Sequence, residues 1–262
     1  MDILSVLDRF YKNYKYEKGV IGYTHEHRNI YYFCVRKTDA PKIIVQYSIH
    51  AREYITTYLA LKQIQNCLRS QNKGTVYFIP CVNPDGVNIA LNKNPLYKAN
   101  GRGVDLNVNF DAKWGTGVFN KTVRGDANYI GEYPFSEKET AILKDFTFKV
   151  NPHGTISYHA KGEEIYYEFF QNEKDKKRDL KIAEAVAKET GYKIKSTIGS
   201  VGGYKDWCIE KLKIPSFTIE VGNDNLTHPI GKEHLKDIYK KNKRVIKVFI
   251  EELWKSGLCN LR

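Results

Sequence analysis

The feature that most constrains this 262-residue chain is its alternation of short apolar runs with segments of helical periodicity. Four apolar runs occupy residues 42–49, 75–80, 155–158 and 216–221. They are too short for buried helices and too apolar for strands that face water on one side. Strands buried on both faces need helices above and below them. We therefore predict an α/β fold: a single domain over residues 1–262, with a mostly parallel, mixed, twisted sheet and helices on both faces.

Helical spacing of apolar residues predicts the covering layers. One helix is expected over residues 53–68, another around residues 180–187, and a long closing helix over residues 238–253. Residues 20–24 and 30–36 flank a polar turn and predict a hairpin at the edge of the sheet.

Three local signals mark boundaries between elements. Asn83-Pro84-Asp85-Gly86 predicts a turn, residues 136–139 predict a capping box that opens a helix, and Gly191 predicts a helix end. In a mostly parallel sheet, ligands bind at the carboxyl ends of the strands. Polar residues that directly follow the strands are therefore the first candidates for function.

Hydropathy and cysteine usage exclude several classes of protein. No apolar run approaches the roughly 20 residues that a membrane helix needs, and residues 2–8 resemble an amphipathic helix rather than a secretion signal. We expect a cytoplasmic protein without a membrane span; association with a spore or cell wall would fit equally well. The five cysteines are widely spaced and odd in number, which argues against a disulfide framework or a thiolate zinc site. They are predicted to be buried thiols: Cys34, Cys67, Cys81, Cys208 and Cys259.

The chain is strongly basic, with 42 Lys and Arg against 30 Asp and Glu and a net charge of +12. Such a balance favours polyanionic partners, among them nucleic acid, acidic lipid and anionic cell-wall polymer. The basic runs are interleaved with acids or apolar residues, which is typical of solvated helix faces, and no nucleic-acid-binding module is present. We expect no nucleic-acid partner.

His50 and Glu53 lie where the first apolar run turns into a helix, three residues apart, so their side chains can face one point. An imidazole and a carboxylate suit zinc, which in catalytic sites takes three protein ligands. His159 directly follows another strand and is the best third candidate among the remaining histidines. Taken alone, a His-x-x-Glu pair is weak evidence for zinc, and a capped, solvated turn is the simpler explanation.

Glu220 is a carboxylate inside an otherwise apolar strand. A charge buried there is costly unless it is paired or functional, so we consider either a structural ion pair or a general base beside a metal. In the segment 101–110, glycines flank Arg102, which allows it to approach a ligand. Asp105 could accept the second ring N–H of a zinc histidine, and Asn107 and Asn109 could contact substrate. A glycine-rich turn with side-chain caps would explain the same residues.

Five segments, taken in order, resemble successive motifs of the zinc carboxypeptidases, the carboxypeptidase A-like metallopeptidases. They are residues 48–56, 82–86, 103–107, 202–207 and 218–220. Any one of them is modest evidence, whereas five in the family's order over residues 20–256 make the resemblance specific. It implies a zinc peptidase fold with one Zn²⁺ ion and a peptide substrate.

The resemblance also implies a role for each matching residue. His50, Glu53 and His159 would be the zinc ligands, Glu220 the catalytic glutamate, and Asp105 the partner that orients His50. Arg102 would lie near the arginine that polarises the scissile carbonyl, in a loop shorter than that of the digestive enzymes. Asn107 matches the asparagine that helps to hold the substrate carboxylate.

Two positions depart from the family's pattern. The usual Asn-Arg-Asn-Phe run is here Asn107-Val108-Asn109-Phe110, and valine cannot clamp a C-terminal carboxylate as a bidentate arginine does. The tyrosine that caps bound peptide in digestive members falls at Ile198 when counted back from Glu220. Tyr204 is nearby and is the candidate for that substrate contact, although it could simply pack in the core. Ordinary C-terminal exopeptidase activity is therefore in question.

Residues 157–167 are similar to the stretch around the third ligand in bacterial, peptidoglycan-directed members of the family. Those relatives cut the amide bond between γ-D-glutamate and a diamino acid, usually diaminopimelate, and Lys161 would contact a substrate carboxylate there. The expected substrate is a muropeptide. The alternatives are a carboxypeptidase for ordinary peptides, with the carboxylate held by Asn107, Arg124 or another donor, and a catalytically inactive binder of cell-wall fragments.

Overall fold

The computed structural model describes residues 2–70, 73–125 and 127–258. Its strands are β1 (Lys18–Tyr23), β2 (Asn29–Arg36), β3 (Lys42–Tyr47), β4 (Thr75–Ile79), β5 (Gly154–His159), β6 (Glu164–Tyr166), β7 (Lys193–Lys195) and β8 (Ser216–Glu220). They form an eight-stranded sheet in the order β1-β2-β4-β3-β5-β8-β6-β7. The four central strands are parallel, whereas the β1–β2, β2–β4 and β6–β8 pairs are antiparallel.

Helices cover both faces of the sheet. They are α1 (Ile3–Asn13), α2 (Ile55–Arg69), α3 (Pro84–Asn92), α4 (Lys138–Val150), α5 (Glu173–Thr190), α6 (Tyr204–Trp207), α7 (Leu235–Asn242) and α8 (Val245–Lys255). Short 3₁₀ turns occupy Ala51–Glu53, Leu106–Val108 and Lys232–His234, and a π-helical turn, Cys208–Leu212, extends α6.

The side chains of β3 show how the apolar runs build two cores. Ile43 and Val45 belong to the core on one face, with residues of α2, α7 and α8, and Ile44 belongs to the other, with residues of α4 and α6. Each of the three is fully buried. Burial of both faces explains why these strands are almost continuously apolar, and the predicted α/β fold class is confirmed.

The order of the strands creates a crevice. From β3 the chain crosses to β4 on one side, and it later returns to β5 on the other side of β3. The connections therefore diverge at the carboxyl ends of β3 and β5, which is where open α/β sheets bind ligands. His50 follows β3 and His159 ends β5, so both candidate histidines lie at this point.

Several local predictions are corrected by the structure. The segment Asn83–Gly86 is not a free turn but the start of α3, because the Asn83 side chain accepts a hydrogen bond from Gly86 N. The predicted capping box at residues 136–139 does not form, since α4 starts after Glu137 without a side-chain cap. The long closing helix is two helices, α7 and α8.

Other local predictions are confirmed. The edge hairpin is β1 and β2, and Gly191 ends α5 in the left-handed conformation. Four cysteines are buried thiols: Cys34, Cys67, Cys81 and Cys208. Cys259 lies outside the described residues. Within the described ranges, no helix has the length and apolarity to cross a bilayer.

Candidate metal centre

Three side chains from two strand ends converge at the crevice. His50 follows β3, Glu53 lies one 3₁₀ turn later, and His159 ends β5. His50 Nδ1 is 2.8 Å from Glu53 Oε1, His159 Nδ1 is 3.1 Å from Glu53 Oε2, and the two Nδ1 atoms are 3.2 Å apart. All three residues are at least 92% buried. Their ligand atoms form one compact cluster.

The cluster fits a tetrahedral zinc ion. Bonds of roughly 2.0–2.1 Å at tetrahedral angles separate neighbouring ligand atoms by about 3.3 Å, close to the three distances found here. Two imidazole nitrogens that face each other at 3.2 Å cannot both carry a proton, which suits a shared cation. The buried His159 Nε2 has no hydrogen-bond partner among the described residues.

Asp105 lies behind His50. His50 Nε2 is 3.2 Å from Asp105 Oδ1, and Lys98 Nζ is 2.6 Å from Asp105 Oδ2. Burial opposes ionisation of Asp105, but the positive charges of Lys98 and His50 prevail and hold the pKa of this carboxyl well below its usual range. Burial lowers the pKa of His50, but the negative charges of Glu53 and Asp105 outweigh it and raise that pKa to about 9. Asp105 is therefore a carboxylate placed to orient His50 through its second ring nitrogen.

Glu220 ends β8 directly opposite His159 in the parallel ladder. Burial, reinforced by the negative charge of Glu53, raises the pKa of Glu220 well above its ordinary value. Its Oε2 atom is buried and has no hydrogen-bond partner among the described residues. No ion pair within the described part of the chain accounts for this carboxylate, and it borders the same space as the metal cluster.

A cavity of about 410 Å³ opens above these groups. Of the residues predicted from the sequence, those that line it are His50, Asp105, Asn107, His159 and Glu220. Val108 also lines it, at the position where the family carries arginine. The Asn107 side-chain oxygen accepts a hydrogen bond from Tyr204 N.

Arg102 does not reach the cavity. Among the described lining residues it is absent, and its guanidinium instead lies 3.5 Å from His25 Nε2 and 3.7 Å from Glu137 Oε2. His25, Glu137 and Glu139 are a second group with metal-ligand atoms close together, but Arg102 already supplies a positive charge to it. In this structure Arg102 therefore faces His25 and Glu137, and its contact with a scissile carbonyl stays a prediction.

Two further predicted substrate contacts also lie elsewhere. Tyr204 is fully buried, with its hydroxyl 2.8 Å from Thr147 Oγ1 and its ring against Phe110. Lys161 donates to the backbone carbonyl of Asp224 and is not among the described residues that line the cavity.

Asn109 is likewise a structural residue. Its side chain is fully buried, and its amide donates to the backbone carbonyls of Ile130 and Tyr133. These hydrogen bonds hold the loop before α4 in place, so the Asn109 side chain is not free to bind a substrate.

Comparison with known proteins agrees with this arrangement. A family profile described as zinc carboxypeptidase matches residues 3–255. The chain belongs to the zinc carboxypeptidase family. It is 31% identical over 230 residues to the gamma-D-glutamyl-L-diamino acid endopeptidase 1 of Lysinibacillus sphaericus, covering 74% of this chain and 57% of that one. It is 26% identical over 239 residues to carboxypeptidase B of Rattus norvegicus, covering 78% and 57%. The chain thus spans little more than half the length of these curated relatives.

Solved structures share the fold across nearly the whole chain. Bovine thrombin-activatable fibrinolysis inhibitor superposes with a TM-score of 0.84 at 22% identity, covering 97% of this chain and 94% of that one. Murein-tripeptide amidase MpaA from Escherichia coli O157 superposes with a TM-score of 0.65 at 20% identity, covering 92% and 93%. At these identities the likeness concerns the fold alone.

The cavity also contains charged residues that the sequence did not single out. Lys98 and the adjacent pair Lys205 and Asp206 line it, and both members of the pair are almost fully buried. No periodicity marks Lys98, which lies in the loop after α3. A signal for the pair was present, because two adjacent charges in a segment between apolar residues have to be paired if that segment is buried.

Proposed function

We propose that this chain is a zinc-dependent peptidase that hydrolyses the bond between γ-D-glutamate and a diamino acid in peptidoglycan-derived peptides. The single observation that carries the proposal is the convergence of His50, Glu53 and His159 beside Glu220, whose Oε2 has no hydrogen-bond partner among the described residues, at the edge of one cavity. A pure binding module has no need of a half-buried carboxylate with an oxygen that lacks a partner among the described residues next to a metal cluster.

Each residue has a task in this reaction. A zinc ion bound to His50, Glu53 and His159 would lower the pKa of water and of the neighbouring Glu220, and would polarise the scissile carbonyl. Glu220 accepts a proton from the attacking water at Oε2 and delivers it to the leaving amine. Asp105 holds the imidazole of His50 in one orientation.

Two observations support the choice of substrate. Valine occupies position 108, where the family's arginine would bind the carboxylate of an ordinary C-terminal residue. The relative at 31% identity is named for the γ-D-glutamyl-diamino acid bond. The net charge of +12 favours carboxylate-rich muropeptides and anionic cell-wall polymer. A cytoplasmic location stays a prediction.

The catalytic assignment is tested with Glu220→Gln. We expect this variant to retain one equivalent of zinc by elemental analysis, because Glu220 is not a ligand, while its kcat/KM on a muropeptide falls roughly 10²- to 10⁴-fold. Glu233→Gln, at a largely exposed position, is the matched control and keeps parental activity. Parental turnover in Glu220→Gln would refute the assignment of the base.

The substrate is tested by mass spectrometry of a defined muropeptide mixture incubated with the zinc-loaded protein. The expected products are separated at the γ-D-glutamyl bond, and chelation of the metal abolishes their formation. Ordinary peptides with free and blocked C-termini are incubated in parallel. Efficient cleavage of the free C-termini alone would indicate a carboxypeptidase instead, and no cleavage of any substrate would indicate a binder.

A further inference from the structure

The walls of the cavity carry two lysines, and they are not equivalent. Lys98 Nζ lies 2.6 Å from Asp105 Oδ2 and donates to Asn128 Oδ1 at 2.7 Å, so it is held beside the group that orients His50. Lys205 lies on α6, and its side chain is only 6% exposed. An ammonium group buried to this degree needs partners.

The contacts of Lys205 leave one proton uncommitted. Its Nζ donates to Asp206 Oδ1 at 2.5 Å and to the backbone carbonyl of Glu168 at 2.9 Å. The ring of Phe169 lies 5.4 Å away and covers another side of the ammonium. Since lysine has three N–H donors, the contacts among the described residues use two of them, and the residue lines the cavity.

Asp206 is held firmly in this pair. Its second oxygen, Oδ2, accepts a hydrogen bond from Gly203 N at 3.0 Å, at the start of α6. The Asp206 carboxylate is therefore anchored to the backbone at the start of α6 and holds the Lys205 ammonium group in place on the cavity wall. A lysine held by short contacts is preorganised for a ligand, because little rotamer freedom remains to be lost on binding.

We infer that Lys205 is a specificity-determining residue whose ammonium group binds a carboxylate of the substrate, an inference that rests on the proposed function. Position 108, occupied by valine, offers no positive charge, and Lys98 is already paired. Among the described residues that line the cavity, Lys205 is the lysine that does not contact the group orienting His50, and one of its N–H donors has no partner among them. A γ-D-glutamyl-diamino acid substrate carries free carboxylates on both sides of the bond that is cut.

The test compares substrates that differ in one group. The wild-type, zinc-loaded protein is assayed on γ-D-glutamyl-diaminopimelate peptides that are unmodified, amidated on the glutamate α-carboxyl, or amidated on a diaminopimelate carboxyl. We expect one of the two amides to lower kcat/KM roughly 10- to 100-fold, mainly through KM, because a charge-assisted hydrogen bond is lost. The sensitive position identifies the carboxylate that is bound.

The variant arm assigns this preference to Lys205. Lys205→Met alone would leave Asp206 buried and unpaired, so Lys205→Met/Asp206→Asn removes both charges together. We expect this variant to cleave the acid and the sensitive amide equally well. Lys176→Met, at a half-exposed lysine paired with Glu168, keeps the parental preference. A structural role alone would lower activity on both substrates by the same factor.

Several outcomes decide the matter separately. Equal cleavage of all three substrates by the wild-type protein, or a preference that survives in the double variant, overturns the role of Lys205 and leaves the proposed function intact. If none of the three is cleaved, the proposed function is wrong. In that case the role of Lys205 is tested by binding alone. Diaminopimelate, D-glutamate and their amides are titrated calorimetrically into the wild-type protein and into the double variant. Tighter binding of an acid than of its amide by the wild type, lost in the double variant, supports the role of Lys205, and equal binding overturns it.

Discussion

At the scale of single residues, Asp105 connects the metal cluster to the rest of the loop. It lies 3.2 Å from His50 and 2.6 Å from Lys98. Asp105→Asn removes the charge that orients the imidazole and strengthens it as a ligand. We expect zinc affinity to fall roughly 10- to 100-fold, as measured by competition with a chromophoric chelator.

The control for this change lies in the same segment. Asp111 is a half-exposed aspartate that pairs with Lys211, and Asp111→Asn is expected to leave zinc affinity unchanged. If Asp105→Asn bound zinc as tightly as the parent, Asp105 would serve only the loop and not the metal ligand.

The sequence located the groups whose position is set by strand ends. His50, His159 and Glu220 follow or end parallel strands, and the topology of the sheet brings those ends together whatever the loops do. The contacts of Arg102 depend instead on His25, in the turn between β1 and β2, and on Glu137, at the start of α4. No periodicity encodes such contacts, so motif position alone could not show which residues this side chain meets.

At the scale of elements, Gln63 joins helix α2 to the strands that carry the metal ligands. Its side chain accepts a hydrogen bond from Tyr47 OH and donates to Tyr158 OH and to the carbonyl of Asn242, all within the core. Gln63→Leu leaves these groups unpaired. We expect the free energy of unfolding to fall by about 2–4 kcal/mol, as measured by urea denaturation.

Gln65, on the exposed side of the same helix, is the matched position. Gln65→Leu is expected to change the free energy of unfolding by no more than about 0.5 kcal/mol. A similarly small effect of Gln63→Leu would mean that the two tyrosine hydroxyls find other partners in the core.

The same contacts explain why one helix boundary escaped prediction. Apolar spacing continues from Ile238 to Leu253, so the sequence indicated a single helix. The break falls after Asn242. Its side-chain amide donates a hydrogen bond to Tyr192 OH, and its backbone carbonyl accepts one from the Gln63 side chain. These partners are 50 and 179 residues away along the chain, and only the assembled fold brings them there. Local periodicity predicts elements and faces, whereas tertiary hydrogen bonds decide where a helix ends.

At the scale of the whole molecule, a buried acid makes stability depend on pH. Glu139, in the first turn of α4, is fully buried and accepts a hydrogen bond from the side chain of Asn100, while its Oε1 has no partner among the described residues. Burial outweighs the hydrogen bonds from the backbone of Glu139 itself and from Asn100 and raises the pKa of Glu139 to about 7 from an ordinary value of 4.5. The folded state therefore holds a proton that the unfolded chain releases at lower pH.

The direction of the effect follows from that difference. Between pH 4.5 and 7 the folded state binds more protons than the unfolded state at this residue, so stability falls as pH rises. Each pH unit contributes about 1.4 kcal/mol, which amounts to about 3 kcal/mol over the whole interval. Glu139→Gln keeps an acceptor for Asn100 but has no proton to lose.

The prediction is therefore a difference between two pH profiles. The free energy of unfolding of the wild-type protein, relative to Glu139→Gln, is expected to decline by about 3 kcal/mol from pH 4.5 to 8 in urea titrations of metal-free protein. The ligand side chains titrate in both proteins, so their contribution cancels in the difference. The pH profile of Glu132→Gln, at an exposed glutamate paired with Arg124, is expected to run parallel to that of the wild-type protein. Parallel profiles for Glu139→Gln would mean that Glu139 is ionised in the folded protein, with Arg102 and its neighbours supplying enough positive charge to stabilise it.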